Sequence, residues 1–205
     1  ISLLMIIKKI LSLAASIISL FILQFIFLIN SISQENNIKS YSKDSGVLSL
    51  MYHRFNENKY PSTNIRMDVF DEQMKIIKNL DYEFYDPNNF LNEINKIKKN
   101  KKILITIDDG FKSFYKEAWP YLKKNKIPFI LFVSTEPVGK KGYMTWDEIK
   151  EINNSDLGFI GHHSHTHEYL IDMTEKEFIN DIETATKIFK NKLGYVPPIF
   201  SYPFG

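Results

Sequence analysis

Residues Ile103 to Gly110 read ILITIDDG, and this run indicates the fold class of the whole chain. Its first five residues are apolar or β-branched, which is typical of a strand buried on both faces. Apolar runs of similar length occur at 47–52, 129–133, 157–161 and 199–202. Because helical patterns separate most of these runs, the sequence predicts an α/β fold with a parallel sheet and helices outside it.

The predicted helices have recognisable boundaries. An amphipathic helix is expected at 68–80, and Pro120 should kink or restart the helical stretch that follows the two carboxylates. Capping boxes beginning at Thr145 and Thr174 predict two further helix starts. The last helix should end at Gly194. It should place four apolar residues on one face, namely Phe178, Ile182, Ala185 and Phe189.

The side chains best suited to chemistry lie just after the predicted strands. His53 follows the first strand, Asp108 and Asp109 follow the second, and the other four of the five histidines lie within 162–167, after the fourth. A last polar and aromatic cluster, 202–205, follows the fifth strand. In folds with parallel sheets, ligands bind at the carboxyl ends of the strands, so we expect the functional site there.

The histidines and aspartates suit a metal ion. His163 and His167 are four residues apart, so one turn of backbone can direct both rings to one point. Together with a carboxylate they form a two-histidine, one-carboxylate set that leaves open positions on a divalent metal. Asp108 and Asp109 should diverge on extended backbone, so one can bind the metal while the other accepts a proton. The alternatives are ordinary buried histidines and a helix-capping Asp-Asp-Gly turn.

Composition excludes several classes of function. The formal net charge is +2, from 26 basic and 24 acidic residues, which does not favour nucleic acid as a partner. The chain has no cysteine, so disulfides, thiolate ligands and cysteine nucleophiles are excluded. A metal site in this chain must therefore use His, Asp and Glu.

The N-terminal part of the chain predicts export. Lys8 and Lys9 precede an apolar run at 10–29, whose length is close to the ~20 residues that span a bilayer. We interpret 1–33 as a signal peptide or a membrane-anchoring hydrophobic helix, and 34–45 as a linker. Either interpretation places the remaining chain, 46–205, in the periplasm or outside the cell, secreted or anchored to the membrane.

Three segments together resemble the signature motifs of one enzyme family. They are Thr106–Gly110 (TIDDG), His163–His167 (HSHTH) and Phe200–Gly205 (FSYPFG). In this order they are similar to the motifs of the polysaccharide deacetylases, which are also called the NodB-homology family or carbohydrate esterase family four. The resemblance covers 47–205 and includes Leu50–Arg54, which is similar to the opening strand of many members.

The resemblance implies a role for each matching residue. Asp109, His163 and His167 would be the metal ligands, with zinc as the expected metal, and Asp108 would be the catalytic base. The backbone N–H near Phe204 would hold the oxyanion.

Further residues are expected to contact the substrate. His53 would line the cleft, and Tyr202, Trp146 and Tyr143 would stack on sugar rings. The alternative for these aromatic side chains is a place in the core. His165 should point away from its neighbours. His162 would either support a metal ligand or simply lie next to one in the sequence.

The implied fold is a deformed (β/α) barrel that is incomplete in this chain, because five strands are readable and the family has about seven. Ser201 stands where the third motif often carries an arginine that orients the base. The later motifs, with a histidine that acts as general acid, are expected beyond Gly205. We therefore expect 46–205 to be a catalytic domain truncated at its C-terminus, and the 205-residue chain to be poorly stable or inactive alone.

The expected function is removal of N-acetyl groups from an N-acetylglucosamine-containing polysaccharide by metal-dependent hydrolysis. Three alternatives stay open at this point. The chain is an O-acetyl esterase acting on another glycan, a non-catalytic glycan-binding module of the cell envelope, or a metal phosphoesterase. The last is disfavoured because it needs more carboxylates or a glycine-rich phosphate loop.

Overall fold

The computed structural model describes residues 46–89 and 102–205. The predicted signal or anchor segment, 1–33, and the linker, 34–45, lie outside these ranges. Within the described ranges, no helix is both long enough and apolar enough to cross a membrane.

In the part of the chain that the structure describes, a five-stranded parallel sheet and four α-helices form the framework. The strands of the sheet are β1 (Val47–Tyr52), β4 (Glu83–Phe84), β5 (Lys102–Ile107), β6 (Phe129–Val133) and β7 (Gly158–His162). Two short strands, β2 (Arg54–Phe55) and β3 (Asn64–Ile65), pair separately. The α-helices are α1 (Met67–Asn79), α2 (Trp119–Asn125), α3 (Trp146–Asn153) and α4 (Glu175–Leu193). Short 3₁₀ helices lie at Pro87–Asn89 and Leu170–Asp172.

The order of the main strands is β1-β5-β6-β7, and all of their pairings are parallel. β1 pairs with the whole length of β5 along one of its edges. β4 and β6 therefore both pair with the other edge of β5, β4 at its start and β6 at its end. The predicted parallel α/β fold is confirmed. The register places Tyr52 beside Ile107 and Val133 beside His162, so the residues that follow these strands emerge on the same side of the sheet.

Alternate strand residues are buried on the two faces of the sheet. One face contributes Ile105, Leu131 and Ile160 to a large cluster, to which each of the four α-helices adds buried side chains. The other face contributes Leu104 and Ile130 to a smaller cluster. Burial on both faces explains why these strands are almost continuously apolar.

The predicted helix boundaries agree closely with the structure. Thr145 and Thr174 each form a complete capping box, and Gly194 ends α4 with a left-handed φ of 85°. A π-helix, Phe114–Ala118, precedes α2, and regular helix restarts at Trp119, next to Pro120. Proline has no N–H and favours the first turn of a helix, which accounts for the restart at this point.

Two features differ from the predictions. The expected fifth strand at 199–202 is only a bridge between His162 and Phe200. It lies between Pro198 and Pro203, and prolines cannot donate to a ladder. In α4 the buried positions are Asp181, Ala185 and Phe189, so a carboxylate lies on the face that was expected to be apolar.

Candidate metal centre and active site

A tight turn after β5 separates the two adjacent carboxylates. The Asp108 N–H donates to the Tyr52 carbonyl at 2.9 Å, which continues the pairing of β5 with β1. Asp109 then adopts a left-handed φ of 72°, and Gly110 has a φ of 75°. Left-handed backbone is rare for residues other than glycine and recurs at functional sites. Both carboxylates are buried, with exposed fractions of 4% for Asp108 and 8% for Asp109.

His163 is held in a defined orientation at the end of β7. Its side chain is 2% exposed, and its Nδ1 lies 2.8 Å from the Ser201 carbonyl oxygen. A carbonyl only accepts hydrogen bonds, so Nδ1 carries the proton. In the neutral ring, Nε2 therefore presents a lone pair, and it lies 3.3 Å from Oδ1 of Asp109.

His167 reaches the same carboxylate oxygen from the other end of the loop. Its Nε2 is 2.7 Å from Oδ1 of Asp109, and the two imidazole centroids are 5.0 Å apart. One ligand atom from each of Asp109, His163 and His167 lies within 4.8 Å of the others. The structure thus brings together the three residues whose spacing suggested a metal site.

The donor set fits a divalent cation. Oδ1 of Asp109 is buried and accepts no hydrogen bond from the described residues, although two imidazole nitrogens lie close to it. Nε2 of both imidazoles and the buried Oδ1 of Asp109 converge, so all three atoms can serve as ligands to a cation that binds between them. Two imidazoles and one carboxylate make up a set that zinc and other first-row divalent ions accept.

The two carboxylates have opposite pKa displacements. Burial raises the pKa of Asp108 to about 6, and the neighbouring Asp109 adds to this effect. Burial would also raise the pKa of Asp109, but contact with the imidazoles of His163 and His167 outweighs it and holds that pKa below its usual range. Oδ1 of Asp108 is buried without a hydrogen-bond partner among the described residues. A pair of neighbouring carboxylates whose pKa values are displaced in opposite directions is typical of residues with different catalytic roles.

The histidines also differ in their pKa values. Burial lowers the pKa of His53, against an opposing effect of Asp109. Burial would lower the pKa of His167 as well, but its contact with Asp109 raises that pKa overall. His162 is different, because burial lowers its pKa to about 4 and keeps its ring neutral.

A cleft of about 650 Å³ opens over these groups. Its lining includes the candidate ligands and Asp108. It also includes four of the five residues expected to contact substrate or hold the oxyanion, namely His53, Tyr143, Tyr202 and Phe204. The ring of Phe204 lies edge-on to His167, with centroids 4.9 Å apart. The N–H of Gly205 donates to the Tyr202 carbonyl at 3.2 Å, whereas no carbonyl of the described residues accepts the N–H of Phe204.

Trp146 does not line this cleft. It is the first residue of α3, and its ring packs against the core, perpendicular to Phe189 with centroids 5.9 Å apart. The expected sugar contact is therefore not supported for Trp146, because the capping box at Thr145 turns this position toward α4. Tyr143 does line the cleft and packs on Phe111, with centroids 4.9 Å apart.

His162 and His165 support the loop from outside the cleft. Nδ1 of His162 accepts the Ser164 N–H at 3.1 Å, and its ring packs between Phe189 and Phe200. Nδ1 of His165 lies 2.7 Å from Thr135 Oγ1. His165 is absent from the cleft lining, as expected.

Arg54 is a cleft residue to which sequence reasoning gave no role. Its guanidinium lies 3.5 Å from the ring centroid of Phe111 and 4.3 Å from that of Tyr60, and it donates to Thr63 Oγ1 at 2.9 Å. Guanidinium groups stack favourably on aromatic rings, so this contact holds one wall of the cleft. The available signal was its position directly after His53 at a strand end.

Comparisons with known proteins agree with this arrangement. The sequence profile of the polysaccharide deacetylase family matches residues 95–205. A poly-beta-1,6-N-acetyl-D-glucosamine N-deacetylase of Staphylococcus aureus is 25% identical over 191 residues, covering 80% of this chain and 66% of that protein. YxkH of Bacillus subtilis is 28% identical over 158 residues, covering 76% of this chain. The chain spans only 56% of the length of YxkH.

Solved structures show the same fold. IcaB from Ammonifex degensii superposes with a TM-score of 0.72 at 30% identity, over 78% of this chain and 75% of that one. BC0361, a polysaccharide deacetylase from Bacillus cereus, superposes with a TM-score of 0.67 at 25% identity, over 78% of this chain and 51% of that one. The family profile covers more than half of the 205 residues, and the resemblance seen in the three motifs is confirmed. This chain belongs to the polysaccharide deacetylase family.

Proposed function

We propose that this chain is a metal-dependent N-deacetylase that hydrolyses the acetamido groups of a polysaccharide containing N-acetylglucosamine. One observation carries the proposal. Ligand atoms of Asp109, His163 and His167 converge within 4.8 Å in a cleft that Asp108 also lines. One buried carboxylate oxygen of Asp108 has no hydrogen-bond partner among the described residues. The name of the Staphylococcus aureus relative supports the choice of polymer.

Asp109, His163 and His167 would hold the cation, and zinc is the metal we propose for two imidazoles and one carboxylate. When bound, a divalent cation supplies polarisation of the acetyl carbonyl and lowers the pKa of the attacking water. Ser201 acts here through its backbone, because its carbonyl fixes the tautomer of His163.

Asp108 is the general base in this proposal. Burial raises its pKa to about 6, so near neutral pH most of it is a carboxylate that can still accept a proton readily. It takes one proton from water as the water oxygen bonds to the acetyl carbon. The C–N bond then breaks and a proton reaches the departing nitrogen, for which protonated Asp108 is a donor within the described residues. Acetate and a free amine are the products.

The N–H of Phe204 is the proposed donor to the oxyanion that forms on the acetyl oxygen. Phe204 lines the cleft, its ring packs edge-on to His167, and its backbone has a left-handed φ of 65°. Backbone donors aimed at developing negative charge are a large source of catalysis in acyl transfer. Exposed Tyr202 and half-buried His53 and Tyr143 supply further walls for the sugar.

The proposed fold around this site is a deformed (β/α) barrel of the family type. Two observations support it. The four main strands are parallel, and all four α-helices contribute to the cluster on one face of the sheet, whereas doubly wound sheets carry helices on both faces. The TM-score of 0.72 to IcaB agrees with this assignment.

Export is also part of the proposal. The support is the apolar run at 10–29 after Lys8 and Lys9, together with a polymeric substrate that suits the cell envelope. The run would act as a cleaved signal peptide or as a membrane anchor. Fractionation of cells that express the full chain should find it in the membrane or outside the cytoplasm, and a cytoplasmic location would contradict export.

The activity is tested by acetate release from two substrates with the purified full chain. One is an oligomer of β-1,6-linked N-acetylglucosamine, and the other is an O-acetylated glycan without amide-linked acetyl groups. Because the described residues supply the three candidate ligands and a base that can return its proton, we expect zinc-dependent release of equal amounts of acetate and free amine from the first substrate. This result would contradict the expectation from the sequence that the chain is inactive alone. Release from the ester alone would favour an O-acetyl esterase. No release from a protein that binds stoichiometric zinc would favour a glycan-binding module.

A further inference from the structure

We propose that Asp181, on α4, is a positioning residue that holds the loop 164–167 in the shape that brings His163 and His167 to one point. This inference rests on the metal site of the proposed function, and it adds a residue that lies outside all three sequence motifs. Asp181 neither lines the cleft nor contacts a candidate ligand side chain, so it would act only through the loop, by its bonds to two backbone amides and to the Thr166 hydroxyl.

The backbone amides of the loop are satisfied by side chains in an unbroken series. The N–H of Ser164 donates to His162 Nδ1 at 3.1 Å, and the N–H of His167 donates to Ser164 Oγ at 3.1 Å. Between them, the N–H of His165 donates to Asp181 Oδ1 at 2.7 Å and that of Thr166 to Asp181 Oδ2 at 2.9 Å. Thr166 Oγ1 adds a third bond to Asp181 Oδ2 at 2.7 Å. Asp181 thus accepts more bonds from the loop than any other side chain.

The loop needs such support because its backbone is strained. Ser164 has a φ of 67° and His167 a φ of 61°, both in the left-handed region that residues with a Cβ rarely adopt. Such conformations persist where surrounding contacts enforce them. The strained residues stand on either side of the two amides that Asp181 binds, and one of them is a candidate ligand.

The location of Asp181 argues against a role in stability alone. Its exposed fraction is 4%, and it shares the inner face of α4 with Ala185 and Phe189. No salt bridge joins it to a cation of the described residues. Burial of a carboxylate without a cationic partner is costly, and an apolar side chain at this position would pack without that cost. The two loop amides and one hydroxyl offset the cost only while the loop keeps this shape.

The two ends of the loop differ in their other attachments. His163 is fixed through β7, through its Nδ1 contact with Ser201, and by Ser134 Oγ, which donates to its carbonyl at 2.6 Å. His167 has the single backbone bond to Ser164 Oγ within the loop. Loss of Asp181 should therefore displace His167 more than His163. The expected consequence is weaker metal binding by a folded protein.

The test is zinc affinity, measured by competition with a chromophoric chelator, for the full chain and for Asp181→Asn and Asp181→Ala. We expect both variants to bind zinc about 10-fold more weakly or worse. This is the usual loss of metal affinity when a group that orients a metal ligand without contacting the metal is removed. Cobalt in place of zinc gives a second readout, because the visible spectrum of Asp181→Asn should change with the geometry at His167. Thr166→Val removes only the hydroxyl donor and should produce a smaller loss.

Two variants of α4 serve as matched controls. Glu183 is exposed and pairs with Lys187, so Glu183→Gln should leave zinc affinity unchanged. Glu177 closes the capping box, so Glu177→Ala, which removes the accepting carboxylate, should lower the melting temperature without weakening zinc binding. The inference is overturned if Asp181→Asn and Thr166→Val bind zinc as tightly as the parent, whatever their melting temperatures. Failure of the parent chain itself to bind zinc would overturn the proposed function as well.

Discussion

At the scale of single residues, two neighbouring carboxylates have acquired different surroundings. Asp109 meets two imidazoles, which hold its pKa below the usual range, whereas Asp108 keeps one buried oxygen without a partner and has a pKa raised to about 6. The left-handed turn at Asp109 makes this possible, because it separates side chains that are adjacent in sequence. One carboxylate is thereby suited to hold a cation and the other to accept a proton.

Replacement of Asp108 by asparagine separates these two roles. Asn has nearly the same shape but cannot accept the proton from water, so acetate release should fall by a factor of ~10² to ~10⁴. Zinc stoichiometry should stay at the parental value, because Asp108 is not among the converging ligand atoms. The matched variant, Asp109→Asn, should lose zinc and activity together. Parental acetate release by Asp108→Asn would exclude Asp108 as the base.

At the scale of elements, helix α4 connects local sequence signals to the site. Thr174 starts it with a capping box, Gly194 ends it, and its inner face presents Asp181 to the loop after β7. The same helix places Phe189 against Trp146 and His162. The position of α4 therefore affects the loop 164–167 through packing as well as through hydrogen bonds.

The cap of α4 contributes measurably to stability. Thr174 Oγ1 accepts the Glu177 N–H, and the Glu177 carboxylate accepts the Thr174 N–H at 2.8 Å. Thr174→Ala should reduce the free energy of unfolding by about 1 kcal/mol, as measured by urea denaturation. Thr174→Ser keeps the accepting oxygen and should retain most of the stability. Equal losses in the two variants would show that the hydroxyl is not the stabilising group.

Two glycines of β7 allow close packing of the strand. A Cβ at Gly158 would lie 2.8 Å from the Ile152 carbonyl oxygen and 2.3 Å from its side chain, whereas at Gly161 the nearest atoms belong to the Phe132 ring. Backbone cannot move away as a ring can, so Gly158→Ala should destabilise more than Gly161→Ala, with losses in the range of about 1–3 kcal/mol. Urea denaturation of both variants measures the difference. The reverse order would contradict the assigned contacts.

At the scale of the whole molecule, the parallel sheet places the residues of the candidate site together at the carboxyl ends of its strands. Residues that follow β1, β5, β6 and β7 line the cleft, because the register aligns the last residues of neighbouring strands. Helices cover one face and a smaller apolar cluster covers the other, so β5, β6 and β7 are largely buried. This frame holds Nε2 of His163 3.3 Å from Oδ1 of Asp109.

Zinc should therefore stabilise the whole fold. A ligand that binds only the native state at about 100 times its Kd adds about 2.7 kcal/mol to the free energy of unfolding, and the melting temperature should rise accordingly. Calorimetry of the full chain with and without zinc measures the shift, and Asp109→Asn should show little of it. An equal shift in Asp109→Asn would place the stabilising ion elsewhere.

Sequence patterns alone were sufficient for the features that depend on neighbouring residues. Alternation of apolar runs with helical patterns predicted the parallel α/β fold, and short-range signals at Thr145, Thr174 and Gly194 predicted helix ends that the structure contains. Because parallel strands end on one side of a sheet, the convergence of a carboxylate after β5 with His163 and His167 also followed from the sequence. The choice of Asp109 over Asp108 came from the resemblance to the family. The roles of these residues as ligands stay predictions.

Tertiary structure decided the features that depend on distant partners. Short strand β4 exists only through its pairing with β5, and the segment 199–202 forms a bridge because flanking prolines cannot extend a ladder. Trp146 packs against the core. Asp181 binds loop residues 15 and 16 positions before it in the sequence, a contact that helix periodicity does not predict. A local sequence pattern predicts which face of a helix is buried. It does not predict which residues that face contacts, because they come from distant parts of the chain.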